Sequence, residues 1–286
     1  MPSPIRRARR GTLLFFLIAH AALITVVNLL LFAHGAFRPL AEWTGGLLTG
    51  TLVANLLLIV LLVGGICLWF GRLRPYDIGW MPAQIPAALL FCLCLWGAAQ
   101  VVHLLAGWAW GGAVRLDAAW LGGMGIPLGV LLGQVLGNAL FEELAYRGFI
   151  FPQLYLRLHG DGERPWSGFL LTLLISQALF ALVHIPNRLY LGMSAPEIAA
   201  DLAMLTGWGV LFTLLYLRTD NLYLVAGIHA LGNAPTTLFA SAPAFQGAGA
   251  SLLIYALAVL AVFVLPWLLR LAERGERSPA LEAVGD

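Results

Sequence analysis

Glu142 and Glu143 stand side by side, and Arg147 follows four residues after the second. They come directly after the apolar run 121–140. A charge at the centre of a bilayer-spanning helix costs about 2.5–3.5 kcal/mol on insertion scales, so residues of this kind are usually functional. On a helix, Glu143 and Arg147 share a face and can pair. Glu142 lies about 100° away from Glu143 and faces other neighbours. That leaves Glu142 as the carboxylate free to enter a bundle interior and act as a base. The competing reading is a helix end in water, with all three residues simply solvated.

Two further clusters carry groups suited to the same chemistry. His184 ends the run 176–184, with Phe180 one turn before it. His229 and Asn233 are spaced i,i+4 and present two hydrogen-bonding side chains on one helix face. If the helices carrying Glu142 and His184 form an antiparallel hairpin turning near residue 162, the two residues lie 20 and 22 positions from the turn. Their heights then differ by only about 3 Å. One carboxylate, two imidazoles and one amide on three helices form a hydrolytic set. Glu142, helped by His184, deprotonates a water, and His229 with Asn233 donates to a developing oxyanion. No GxSxG or HExxH is present, and no serine or cysteine stands beside a histidine as a nucleophile. Glu142, His184 and His229 could alternatively ligate zinc, since a carboxylate and two imidazoles make a catalytic zinc set. His20, His34, His103 and His159 have no comparable partners and receive no role.

The elements that must position these residues are membrane helices. The 286 residues are 60% hydrophobic and 10% charged, with a mean hydropathy of +0.88. A soluble domain carries roughly 25% charge. Apolar runs of 20 or more residues are long enough to cross about 30 Å of hydrocarbon. The two-residue alternation of a membrane barrel is absent, which leaves helices. The expected fold is all-α, a bundle of about eight transmembrane helices near 12–32, 46–70, 85–108, 126–158, 166–184, 195–218, 222–239 and 249–271. Residues 159–165 read as a turn. The chain reads as one integral membrane domain over 1–286, with flexible cytoplasmic ends at 1–11 and 272–286. The uncleaved first helix is too long for a signal-peptide core.

All 16 basic residues are arginine. An even number of spans puts both termini on one side. Thirteen arginines then fall with the termini, and only Arg38, Arg115 and Arg188 fall opposite. Loops rich in basic residues stay cytoplasmic, so both termini are expected there, in the inner membrane of a bacterium. Cys67, Cys92 and Cys94 sit in apolar runs without a CxxC pair and read as packing residues.

The motifs EExxxR (Glu142, Glu143, Arg147), FxxxH (Phe180, His184) and HxxxN (His229, Asn233) occur in that order on separate apolar helices. This resembles the CPBP family of intramembrane proteases, the CAAX prenyl protease and bacteriocin-processing type, over about residues 120–240. The resemblance implies an eight-helix bundle with a polar cavity open to the cytoplasm. It implies Glu142 and His184 as the water-activating pair, His229 and Asn233 as the oxyanion site, and Glu143 and Arg147 as supporting residues. Glu143→Gln is accordingly expected to affect mainly stability. The family has been described both as zinc enzymes and as metal-independent glutamate proteases. The neutral Asn233 amide favours the form without a cofactor. The implied partners are a peptide or protein substrate, membrane-associated or lipidated, and the lipid bilayer, with no nucleic acid. The alternative function is a non-catalytic scaffold, immunity factor or transporter that uses the same polar residues.

Overall fold

A computed structural model describes residues 5–158 and 165–268. The expected turn at 159–165 falls almost wholly outside the described residues, as do His159 and the expected tail 272–286. Seven helices are long and apolar enough to cross a membrane: α1 (Thr12–Phe32), α2 (Gly50–Phe70), α3 (Pro82–Gly111), α4 (Gly125–Leu158), α5 (Trp166–Tyr190), α6 (Ala195–Thr219) and α8 (Ala248–Leu268). An eighth apolar helix, α7 (Leu222–Asn233), is shorter. Among the described residues there are no strands, only one isolated bridge between Leu116 and Phe239. The chain is a polytopic all-α membrane protein.

The helix expected over 222–239 stops at Asn233 because Pro235 follows. A proline pushes the residue before it out of the helical region, and Ala234 is accordingly at φ −138°, ψ 79°. Twelve helical residues rise only about 18 Å, and the chain beyond Asn233 continues in irregular form, with Thr236 at φ 46°. Its polar backbone is satisfied by side chains. Gln100 accepts from the Leu238 N–H at 2.8 Å, and the Trp96 and Trp120 indoles donate to the Thr236 and Thr237 carbonyls at 3.3 and 2.8 Å.

The bundle has two distinct ends. At the first, the Arg9 amide meets the Gly71 carbonyl, the Arg6 amide bonds Asp77, and Gln84 exchanges bonds with the α6–α7 turn, its side chain donating to the Asp220 carbonyl and its carbonyl accepting from the Asn221 side chain. At the second, Asn187 donates to Asn28 at 2.9 Å, and the Asp117 amide bonds the Leu238 carbonyl. A continuous apolar core fills the half of the bundle toward the first end, built on Phe16, Leu62, Ile66, Ile78, Tyr146 and Phe149. Gly148 admits the Ile78 carbonyl against α4 at a point where any side chain would collide with it.

The N-terminal segment, expected to be a flexible end, is tied down at residues 6–9. Gln153 accepts from the Ala8 amide and donates to the Arg6 carbonyl, both at 2.8 Å, and Arg157 donates to the Ala8 carbonyl at 3.3 Å. Asp77 is the other anchor, accepting from the Arg6 amide at 3.1 Å, the Arg74 amide at 2.7 Å and the Arg74 guanidinium at 2.7 Å. Burial alone would raise the Asp77 carboxyl. The Arg74 side chain and the two amides outweigh burial and hold it below the usual aspartate range. A carboxyl depressed in the folded state stabilises above its unfolded pKa and loses that contribution as pH falls through its folded value. The Arg6 amide should therefore keep its hydrogen-exchange protection through the ordinary aspartate range, about pH 4, and lose it only at more acid pH. Asp77→Ala should lose it at every pH, with tryptic cleavage at Arg6–Arg10 as a second readout. Unchanged protection in Asp77→Ala would show that the clasp does not hold the segment.

Candidate active site

The site is built on α4. Residues Ala139–Glu143 form a regular α-helical segment between two wider π-helical turns, Gly133–Asn138 and Leu144–Ile150. Turns of this kind are frequent at functional sites. Glu142, Glu143 and Arg147 are all buried, so these three residues are not a solvated helix end.

Glu143 and Arg147 pair at 3.2 Å. The Arg147 guanidinium also donates to the Gly209 carbonyl at 2.9 Å and to Gln177 at 3.4 Å, and lies over the rings of Phe180 and Phe212. A Cβ at Gly209 would meet the end of the Gln177 side chain, which would have to shift away from Arg147. Glu143 has a second partner that spacing could not reveal, since His229 Nδ1 lies 2.8 Å from the same carboxylate oxygen. Glu143 therefore orients a ring of the site as well as neutralising Arg147, which revises the expectation that it matters mainly for stability.

Glu142 is the carboxylate that faces open space. His184 Nε2 lies 3.5 Å from one of its oxygens and His229 Nε2 lies 3.6 Å from the other. The hairpin argument on height thus agrees with the observed placement. His184 Nδ1 is 2.7 Å from the Phe180 carbonyl. A carbonyl and a carboxylate only accept, so both Nδ1 atoms carry hydrogen and donate. In the neutral rings each Nε2 then turns a lone pair toward Glu142. Both gaps exceed a direct hydrogen bond, and a donor with two hydrogens, such as water, fits between acceptors of this kind.

These groups line a cavity of about 410 Å³, within the size range of small-ligand sites. Asn233 also lines it and donates to Gln134 at 3.1 Å, while Asn138 donates to the same Gln134 oxygen at 3.4 Å. Sequence reasoning missed Gln134 and the other amides of the wall, Asn28, Asn55, Asn138 and Asn187. The usable signal was amides inside apolar spans, which are themselves costly. It also gave no role to His20, which lies in the cavity wall, edge-on to Phe141 at 5.1 Å.

Among the described residues, no three His, Cys, Asp or Glu groups are placed to share a metal ion. The two imidazoles approach opposite oxygens of Glu142.

Arg147→Ala would leave Glu143 buried without its counter-charge, a loss of about 3–5 kcal/mol. Thermal unfolding in detergent should show a strongly lowered midpoint. Adding Glu143→Gln should recover part of the loss, because the orphaned charge goes with it. A single variant as stable as the parent would show that the pair is not holding the bundle.

Neither a curated protein nor a solved structure matches the chain. Residues 124–235 match the family model described as type II CAAX prenyl endopeptidase Rce1-like. The matched segment runs from the start of α4 to just past Asn233 and carries Glu142, Glu143, Arg147, His184, His229 and Asn233. Over that segment, 124–235 of 286 residues, the chain is similar to the Rce1-like type II CAAX prenyl endopeptidases.

Proposed function

We propose that this protein is a glutamate-type intramembrane endopeptidase acting on a peptide or protein chain at the membrane, lipidated or not. The reading rests above all on one observation: two ring nitrogens approach the two oxygens of a single carboxylate at 3.5 and 3.6 Å inside a cavity. Glu142 and the His184 Nε2 lone pair hold a water by its two hydrogens. Glu142 takes one proton, and the oxygen attacks the scissile carbonyl carbon. Asn233 has one amide hydrogen on Gln134 and turns the other to the developing oxyanion. His229, the other member of the oxyanion site, is oriented by its Nδ1 bond to Glu143, as in the buried carboxylate–imidazole pair of serine proteases. Collapse of the tetrahedral adduct breaks the C–N bond. The proton held by Glu142 passes to the leaving amine, giving a new carboxylate and a new amino terminus.

No step of this reading uses a metal. Purified protein in detergent, assayed against a peptide library, tests the reading. Glu142→Gln keeps the shape of the side chain and removes the base, so kcat should fall about 10²–10⁴-fold with folding unchanged. Asn233→Ala should lower kcat about 10²–10³-fold. Activity should survive dialysis against a chelator. Hydrolysis at parental rates by Glu142→Gln would leave the non-catalytic reading, and loss of activity on chelation would restore the metal reading.

A further inference from the structure

The cavity has a direction. It is lined by Asn28 and Phe32 from the second half of α1, Asn55 from the first half of α2, Asn138 from the first half of α4 and Arg188 from the last turn of α5. Each of these residues lies toward the second end of the bundle, away from Arg6–Arg10. The opposite half, beneath Glu142, is filled by the core of Phe16, Leu62, Ile66, Tyr146 and Phe149. The site thus communicates with the second end and is closed off from the first.

The arginines fix which end is which. Among the described residues, Arg6, Arg7, Arg9, Arg10, Arg72, Arg74, Arg157 and Arg218 lie at or near the first end, and Arg38, Arg115 and Arg188 lie at the second. Two of the latter three are paired with acids: Arg188 with Asp201 at 2.6 Å and Arg38 with Glu42 at 3.5 Å. Highly exposed tryptophans mark both levels, Trp69 and Trp166 at the first end and Trp43 and Trp110 at the second. Tryptophans collect at the two membrane–water interfaces. The connecting loops are short, the regime in which basic residues set orientation. The arginine-rich first end is therefore the cytoplasmic one. Cytoplasmic termini and a cavity open to the cytoplasm, both expected from sequence, exclude one another in this fold.

We infer that the cavity opens on the non-cytoplasmic face of the membrane, so that the substrates are chains presented from that side, exported peptides or the outward ends of membrane-inserted segments. The substrate class rests on the peptidase reading; the orientation does not. Ring nitrogens and carboxylates in the cavity equilibrate with the outer compartment, and cytosolic chains have no direct path to Glu142.

The full-length chain in intact cells tests the inference. Cys67, Cys92 and Cys94 are replaced by alanine, and single cysteines are introduced at Ala119→Cys and Ala195→Cys for the second end, Ala83→Cys for the first, and Asn187→Cys in the cavity wall. A membrane-impermeant maleimide should label positions 119, 195 and 187 at least tenfold more than position 83, which should label only after lysis. Green fluorescent protein fused after Asp286 of the otherwise unaltered chain should fluoresce, which requires a cytoplasmic C-terminus and serves if the cysteine-free chain does not fold. Labelling at position 83 alone, or a dark fusion at normal expression, would overturn the inference. Either result would leave the peptidase reading standing, because that reading depends on the loss of hydrolysis in Glu142→Gln.

Discussion

A guanidinium with no access to water must find its partners inside the bundle, and Arg147 finds them on three helices. It meets Glu143 on its own helix, the Gln177 amide and Phe180 ring on α5, and the Gly209 carbonyl and Phe212 ring on α6. Through Glu143 the same network reaches His229 on α7. Removing one member of such a set strands the others in low dielectric, which is why buried pairs are far costlier to break than to replace whole. The catalytic-type groups are therefore positioned by electrostatics at the centre of the bundle, and the apolar faces adapt around them.

Local chain geometry serves that centre. The α-helical segment with Glu142 and Glu143 is bracketed by wider turns on both sides. His229 is held from two directions, by Glu143 at Nδ1 and by a stacked Phe212 at 4.3 Å. His184 is held by the carbonyl of Phe180 one turn earlier and by the edge of the same residue's ring. An imidazole fixed at one nitrogen has only the other to offer a substrate, so these contacts determine the tautomer as well as the position.

Much of this could be read before any coordinates. Three short motifs gave the residues, and the 3.6-residue period gave their faces. Hydropathy gave the helices to within a few residues except at α7, where the breaking effect of Pro235 was overlooked. The hairpin argument set His184 at the height of Glu142 from distance along the chain alone. What could not be read shares one cause: it depends on which helices are neighbours. The Glu143–His229 bond joins residues 86 positions apart, the Asn28–Asn187 bond joins residues 159 apart, and His20 enters the site from the first helix. The direction of the cavity was hidden for the same reason, since it depends on which halves of the helices pack solidly.

The amides of the cavity wall have a consequence for any chain that comes to Glu142. Inside hydrocarbon a polypeptide keeps its amides bonded by staying helical, and a helical peptide bond is shielded from an attacking water. Asn28, Asn55, Asn138, Asn187 and Gln134 supply both donors and acceptors along the approach, so an unwound segment can exchange its internal bonds for bonds to the wall. On the proposed peptidase reading, discrimination would act on the free energy of unwinding: chains with glycine or proline beside the scissile bond would lose least by opening, and a stable alanine- and leucine-rich helix would be refused without any contact that reads its side chains.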